Sequence, residues 1–360
     1  MSLFISNYIP SDCVNLDKRF SQAGSNFIGK LMKCLPYMKF YHSMYPGLDL
    51  HTYRRIVSST YEGTFINAKY AFKGNKFSRL INLLYGTIAI IRICYSSHEK
   101  NIWYYNMLTP EFIVSAMVNK YLFRKNIFVI LADYDARDLV LAKSQNAVLK
   151  IVDGIISLRT LSSKISCGKN KVIHGIVSEQ SKRIKIQPPE KGLEHNNKVL
   201  LSGLLSEKLG LSLALDAFTK LPQYELIITG KGELEKKARF YAANYPNIKY
   251  YKFLPFEDYL NILREADICL SLRNPDYLNN NFEFPSKIIE YLEFGKKVIT
   301  NIDYEKLPKE LYYKTDYSVK DLIRSIKSCP AYSNKDSISK KLRQKFGCKV
   351  WRDAIEKMEK

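Results

Sequence analysis

Histidine is scarce in this chain, and its cysteines follow no ligand spacing. Five histidines and seven cysteines are scattered over 360 residues. No C-x-x-C pair, H-E-x-x-H motif or mixed Cys/His cluster occurs, so neither a structural nor a catalytic metal site is expected. Cysteines spread in this way suggest reduced thiols in a cytosolic protein. Long apolar runs are missing too. The most apolar stretch, residues 80–91 (LINLLYGTIAII), is interrupted or flanked by Arg79, Asn82 and Arg92. It falls short of the roughly 20 residues that a membrane-crossing helix needs. It reads as a buried helix, with a membrane-lying helix as the alternative. The opening MSLFISNYIP lacks a basic region ahead of a long apolar core, so no signal peptide is expected.

Acidic residues are in deficit. Against 56 Lys and Arg there are 35 Asp and Glu, a formal charge of +21. Neither a zinc finger, nor an RNP-type motif, nor an arginine-rich arm accompanies that charge, which argues against nucleic acid as partner. An anionic membrane surface or a phosphorylated substrate accounts for it better.

What is present is a globular composition, 46% hydrophobic and 25% charged, and a length sufficient for two cores. Leu3-Phe4-Ile5-Ser6 reads as a strand. A loop follows that ends in Ala23-Gly24-Ser25, then an apolar-periodic helix over 27–35. Glycine there would let backbone approach a ligand, although an ordinary tight turn explains it equally well. Strands are expected at 37–41, 102–105 and 127–132, and helices at 77–95 and 111–123. The 127–132 strand ends in an acidic stretch that starts at Asp133. Open α/β sheets keep their chemistry at such strand ends. Asp133 either faces the reacting groups or caps the next helix. Short strands are also expected at 154–157 and 171–175, where His174 reads as a loop residue of structural value.

Residues 181–197 hold two prolines, a glycine and mixed charge without apolar period, and read as a linker. Beyond them strands at 199–203, 225–229, 248–252 and 267–272 alternate with helices at 211–221, up to 244, and at 259–265. Such alternation implies a parallel sheet with right-handed crossovers. The rhythm culminates in residues 281–300, NFEFPSKIIEYLEFGKKVIT. Pro285 suits the first position of a helix. Ile288, Ile289 and Leu292 form its apolar face, with Ser286, Lys287 and Glu290 roughly opposite. A helix N-terminus with Lys287 beside it suits a phosphate, and Glu290 suits a sugar hydroxyl.

This stretch resembles the donor-site signature of GT-B glycosyltransferases, in particular the PSK-x-x-EY variant of the E-x7-E motif of retaining glycosyltransferase family 4. Upstream, LSGLLSEKLG resembles the family's G-R-L-x-x-x-K-G, LIITGKG its L-x-I-x-G-x-G, and ADICLSL its strand before the signature helix. The likeness is best over 199–300; before residue 180 only the layout is similar. The resemblance implies two Rossmann-like, doubly wound parallel-sheet domains facing a cleft. Residues 1–180 would take the acceptor and 198–335 the donor, with 336–360 forming a helix that crosses back to the first domain. It implies transfer, with retention, from a nucleotide-diphosphate sugar to a glycan or lipid-linked acceptor. No metal or other cofactor is implied. The likeness and the charge together suggest an enzyme of bacterial lipopolysaccharide, capsule or O-antigen synthesis, cytoplasmic and peripheral on the inner membrane face.

By the same resemblance Asp133, Lys208 and Lys287 are the catalytic candidates. Gly203, Gly230, Phe284, Pro285, Ser286, Lys287 and Glu290 would bind the donor, and Ala23, Gly24 and Ser25 would form an N-terminal loop over donor or acceptor. Two departures stand out. Leu204 occupies the place of the family's phosphate-binding arginine, and Phe282 that of its first acidic residue, with Glu283 one place off. A UDP-sugar epimerase on the same fold and a non-catalytic sugar-nucleotide or polyanion binder are the alternatives.

Overall fold

The computed structural model describes residues 2–9, 13, 22–43, 64–66, 76–106, 109–132, 139–158, 168–177, 197–277, 286–304, 307–329 and 335–360. The chain forms two compact units, one of Met1–Ser178 with Phe346–Lys360, the other of Glu179–Lys345. Each is a doubly wound, wholly parallel α/β sheet.

In the first unit the strands are β1 (Ser2–Ser6), β2 (Lys39–Ser43), β3 (Thr64–Ile66), β4 (Asn101–Tyr105), β5 (Asn126–Leu131), β6 (Gly154–Ser157) and β7 (Lys169–Val172). Their order is β3-β2-β1-β4-β5-β6-β7. Buried on both faces, the central strands are apolar nearly throughout, as in NIFVIL of β5. The period of two sorts their side chains. Phe4, Trp103 and Phe128 point to one core, which includes Phe27 and Leu31 of α1 (Gln22–Cys34) and Trp351 and Ile355 of the final helix. Leu3, Ile5 and Tyr104 point to the other, against α2 (Lys76–Ser96) and α3 (Pro110–Tyr121). Next in the chain is α4 (Leu139–Leu149).

Three expectations are corrected here. Ala23, Gly24 and Ser25 are not a loop, because α1 begins at Gln22 and they make up its first turn. Apolar periodicity starts only at Phe27, so the polar opening turn was invisible to it. Residues 80–91 do form a helix, α2, but only one side is buried. Ile90 and Cys94 are fully covered, whereas Leu84 and Ile88 are 54% and 62% exposed. Finally, the cysteines are not all thiols, since Cys34 and Cys348 form a disulfide across 314 residues. Cys34 ends α1 and Cys348 opens the final helix, and the fold brings together what linear spacing could not. Cys94, Cys269 and Cys329 are free.

The second unit has β8 (Lys198–Leu204), β9 (Glu225–Lys231), β10 (Ile248–Tyr250), β11 (Ile268–Ser271), β12 (Lys297–Thr300) and β13 (Tyr313–Lys314), in the order β10-β9-β8-β11-β12-β13. Its helices are α5 (Leu211–Phe218), α6 (Glu235–Asn244), α7 (Phe256–Glu265), α8 (Ser286–Glu293), α9 (Val319–Ser328) and α10 (Lys335–Phe346). The last helix, α11 (Cys348–Glu359), belongs to the first unit. Its Trp351 indole donates to the Gly175 carbonyl at 3.0 Å, and Glu359 accepts from the Trp103 indole at 2.7 Å and the Ser2 hydroxyl at 2.6 Å. Of the expected linker, only Asn197 lies among the described residues.

Candidate functional site

The order of the second sheet reverses between β8 and β11, with β9 and β10 on one side and β12 and β13 on the other. Connections leave such a pair of strands toward opposite faces, so a crevice opens at their carboxyl ends. A pocket lies there. Ser202, Gly203 and Leu204 of β8, Arg273 just past β11, and Lys287 and Tyr291 of α8 are among its lining.

α8 is held by burial of Ile288, Ile289 and Leu292. That anchors the face opposite to the pocket and sets Lys287 in place. The Lys287 ammonium donates to the Ser202 hydroxyl at 2.7 Å, and Ser202 Oγ lies 2.8 Å from the Tyr291 hydroxyl. Lys287 Nζ also sits 5.2 Å from the centre of the Tyr259 ring, whose hydroxyl donates to Glu290 Oε2 at 2.7 Å. One charge-and-hydroxyl chain thus runs from Glu290 through Tyr259 and Lys287 to Ser202 and Tyr291. Desolvation pushes the Lys287 ammonium below the usual lysine range, against the opposing pull of the Glu290 charge. Burial pushes the hydroxyls of Tyr259 and Tyr291 up, so both remain neutral hydrogen-bonding groups.

Two glycines make the arrangement possible. Gly203 has φ 131°, and a Cβ there would lie 3.4 Å from Lys287 Nζ. Gly230, opposite Gly203 in the β8–β9 ladder, has φ 134°. A Cβ on it would lie 1.8 Å from the Gly203 carbonyl oxygen, where no atom fits. Gly230 therefore serves the pocket through Gly203 and does not line it.

Lys208 is elsewhere. It is exposed in the turn Glu207–Leu209 and does not line the pocket. Arg273 does line it, with its guanidinium donating to the Leu272 carbonyl at 3.1 Å, and no motif singled it out. Its position immediately past a central parallel strand was the available signal. Asn301 clamps the Arg273 backbone from both sides: its side-chain oxygen accepts from the Arg273 backbone N–H at 2.8 Å, and its side-chain amide donates to the Arg273 carbonyl at 2.7 Å. Ser202 and Tyr259 were also missed, since nothing local in a strand serine or a helix tyrosine marks it. Ser286 opens α8. Asp133, Phe284 and Pro285 lie outside the described residues.

Fold and pocket together define a class: two doubly wound parallel sheets, one with a polar pocket at its reversal point, are the GT-B fold. Sucrose-phosphate synthase from Thermosynechococcus elongatus is similar, with a TM-score of 0.63 at 12% identity, over 100% of this chain and 97% of that one. HepE from Anabaena, solved in complex with UDP, is similar with a TM-score of 0.63 at 13% identity, over 99% and 98%. A UDP-GlcNAc 2-epimerase from Methanocaldococcus jannaschii is similar with a TM-score of 0.55 at 10% identity, over 95% and 99%. At such identities the likeness speaks for the fold alone. More particularly, residues 183–310 match the family model of glycosyl transferases group 1. No curated protein matches by sequence. That match lies wholly within the second unit.

Proposed function

We propose that the protein is a retaining glycosyltransferase that moves a sugar from a nucleotide-diphosphate sugar to a glycan or lipid-linked acceptor. The observation that carries this reading is the desolvated Lys287 ammonium, set by Ser202 at the reversal point of a parallel sheet and joined there by Arg273. As the nucleotide diphosphate departs, negative charge builds on its terminal phosphate. Fixed cations aimed at that charge favour the transition state over the bound donor. Arg273 stands in for the arginine that Leu204 displaces. Glu290, oriented by Tyr259, binds a ribose hydroxyl. A lysine and an arginine do the work that a divalent cation does elsewhere, so transfer persists after EDTA in this proposal. Cell-surface polysaccharide on the cytoplasmic face of a bacterial membrane is the setting that the basic charge suits best, with membrane attachment through anionic lipid.

A screen of UDP-, GDP-, ADP- and CMP-sugars by thermal shift identifies the donor. A ligand at about 100 times its Kd raises stability by about 2.7 kcal/mol. With the donor known, Glu290→Ala weakens nucleotide binding, by roughly 1.5–3 kcal/mol for a lost charged hydrogen bond. Lys287→Ala lowers kcat more than it weakens donor binding. If both variants bind and turn over like the parent, the donor site is not here. The second reading is a UDP-sugar epimerase, favoured by the likeness to the 2-epimerase. Incubation with donor alone separates them, because an epimerase converts the sugar with no acceptor present. A non-catalytic binder, the reading that the loss of arginine at Leu204 invites, is dismissed by any turnover of the donor.

A further inference from the structure

Helix α2 is apolar around most of its circumference, yet the protein covers only one side of it. Leu80, Leu84 and Ile88 recur every fourth residue and form one outward row, each more than half exposed. On α3, packed alongside, Val114, Met117 and Tyr121 form a second outward row, 46%, 44% and 63% exposed. The Tyr95 and Phe123 rings, with centroids 5.0 Å apart, tie the two helix ends together. Side chains of this size gathered on adjacent helices form a patch that a solvated monomer rarely carries.

The charge at the end of the patch identifies its partner. Arg92 continues the α2 row, and Lys100 and Arg124 follow the two helix ends; all three are exposed. None of them makes an ion pair among the described residues. The neighbouring carboxylates are already occupied, Glu99 by Lys39 at 3.2 Å and Asp153 by Lys120 at 2.5 Å. A second copy of a chain with formal charge +21 would bring like charges together at this rim. An anionic bilayer offers both what the row lacks, acyl chains, and what the rim lacks, phosphates.

We propose that the α2–α3 face is a membrane-docking surface. It lies in the plane of an anionic bilayer, with Leu84, Ile88 and Met117 at the headgroup–acyl boundary and Arg92 and Arg124 against lipid phosphates. Among the described residues no helix is long and apolar enough to cross a membrane. At about 1.5 Å per residue α2 spans about 30 Å along the surface instead. Net charge alone makes no such distinction among faces. The proposal concerns the first unit only and stands or falls apart from nucleotide binding.

The test uses the full chain and vesicles of phosphatidylcholine, with or without one-third phosphatidylglycerol, in co-sedimentation. The parent binds the anionic vesicles. Leu84→Gln/Ile88→Gln, which leaves the charge unchanged, lowers partitioning by about tenfold or more. Arg92→Gln/Arg124→Gln lowers it too and flattens its salt dependence. Ile88→Trp, a single apolar exchange, reports depth: the emission of the introduced indole shifts to the blue on vesicles and is quenched by brominated lipid. The native Trp103 and Trp351 are fully buried and give a constant background. Melting curves confirm that the exchanged chains fold, and parent-like binding of the nucleotide sugar that the thermal-shift screen selects confirms that the second unit is unaffected. The proposal is overturned if Leu84→Gln/Ile88→Gln binds like the parent, if Ile88→Trp shows no quenching beyond that background, or if no form binds vesicles. It is equally overturned if the parent is a dimer that the Leu84→Gln/Ile88→Gln pair dissolves, since the occupant is then a second copy.

Discussion

The desolvation that depresses the Lys287 ammonium is reversed when a phosphate lies beside it, because the charged form then has a partner. If Lys287 holds the diphosphate as proposed, a nucleotide diphosphate raises the pKa of Lys287 on binding. Above the depressed value, binding must take up a proton, and affinity falls as pH rises, by at most about tenfold per pH unit. Calorimetry in buffers of different ionisation enthalpy measures that proton, and Lys287→Arg, which stays charged, abolishes its uptake. No uptake on the alkaline limb in the parent would place Lys287 away from the nucleotide. The same depression acts on folding with a definite sign. Between the folded value and the ordinary 10.5, the unfolded chain binds more protons than the folded one, so the ligand-free protein gains stability as pH rises through that window. Arg273 makes a parallel case. Removing the Asn301 clamp leaves the guanidinium present but unaimed, so Asn301→Ala lowers kcat with a smaller change in thermal stability than loss of a core residue brings. Arg273→Ala lowers it further, and Arg273→Lys restores it only in part, because a lysine lacks the planar fork. Equal kcat in parent and Arg273→Ala would return the phosphate to other groups.

At the scale of elements, Gly230 is the place where sequence and packing meet most tightly. A Cβ there collides with the Gly203 carbonyl, and the backbone itself has φ 134°. Gly230→Ala is expected to cost more than about 3 kcal/mol and to weaken nucleotide binding with it. Denaturant unfolding beside titration with the donor that the thermal-shift screen selects checks both, and a parent-like midpoint would mean that β8 and β9 can part without loss. The strands of this fold were legible because buried parallel strands write themselves as short apolar runs, LFI in β1, NIFVIL in β5, LIIT in β9. Of the three shortest, β10 was read within 248–252, whereas β3 and β13 left no such run. Helix α8 was legible with its polar row, so Lys287 and Glu290 could be named from the sequence, and Gly203 from the likeness of the stretch around the end of β8. What stayed hidden depends on contact and not on pattern. Arg273 and Tyr259 join the site from different elements, and the outward side of α2 looks like core because apolar residues carry no sign of which way they face.

Across the whole molecule, the sequence order of the two units has a covalent consequence. The second unit departs from the first after Ser178 and returns to it at Phe346. The bond between Cys34 and Cys348 joins the sides of that excursion. Everything between these two cysteines is thus a closed loop, and a closed loop survives one cut. A protease that nicks the chain once anywhere between them should leave a single species on a non-reducing gel and release two pieces only when thiol is added. Two pieces without thiol would show the bond to be unformed. In the looped form, damage to the backbone of the second unit separates nothing, and the protein wears out by fraying in place.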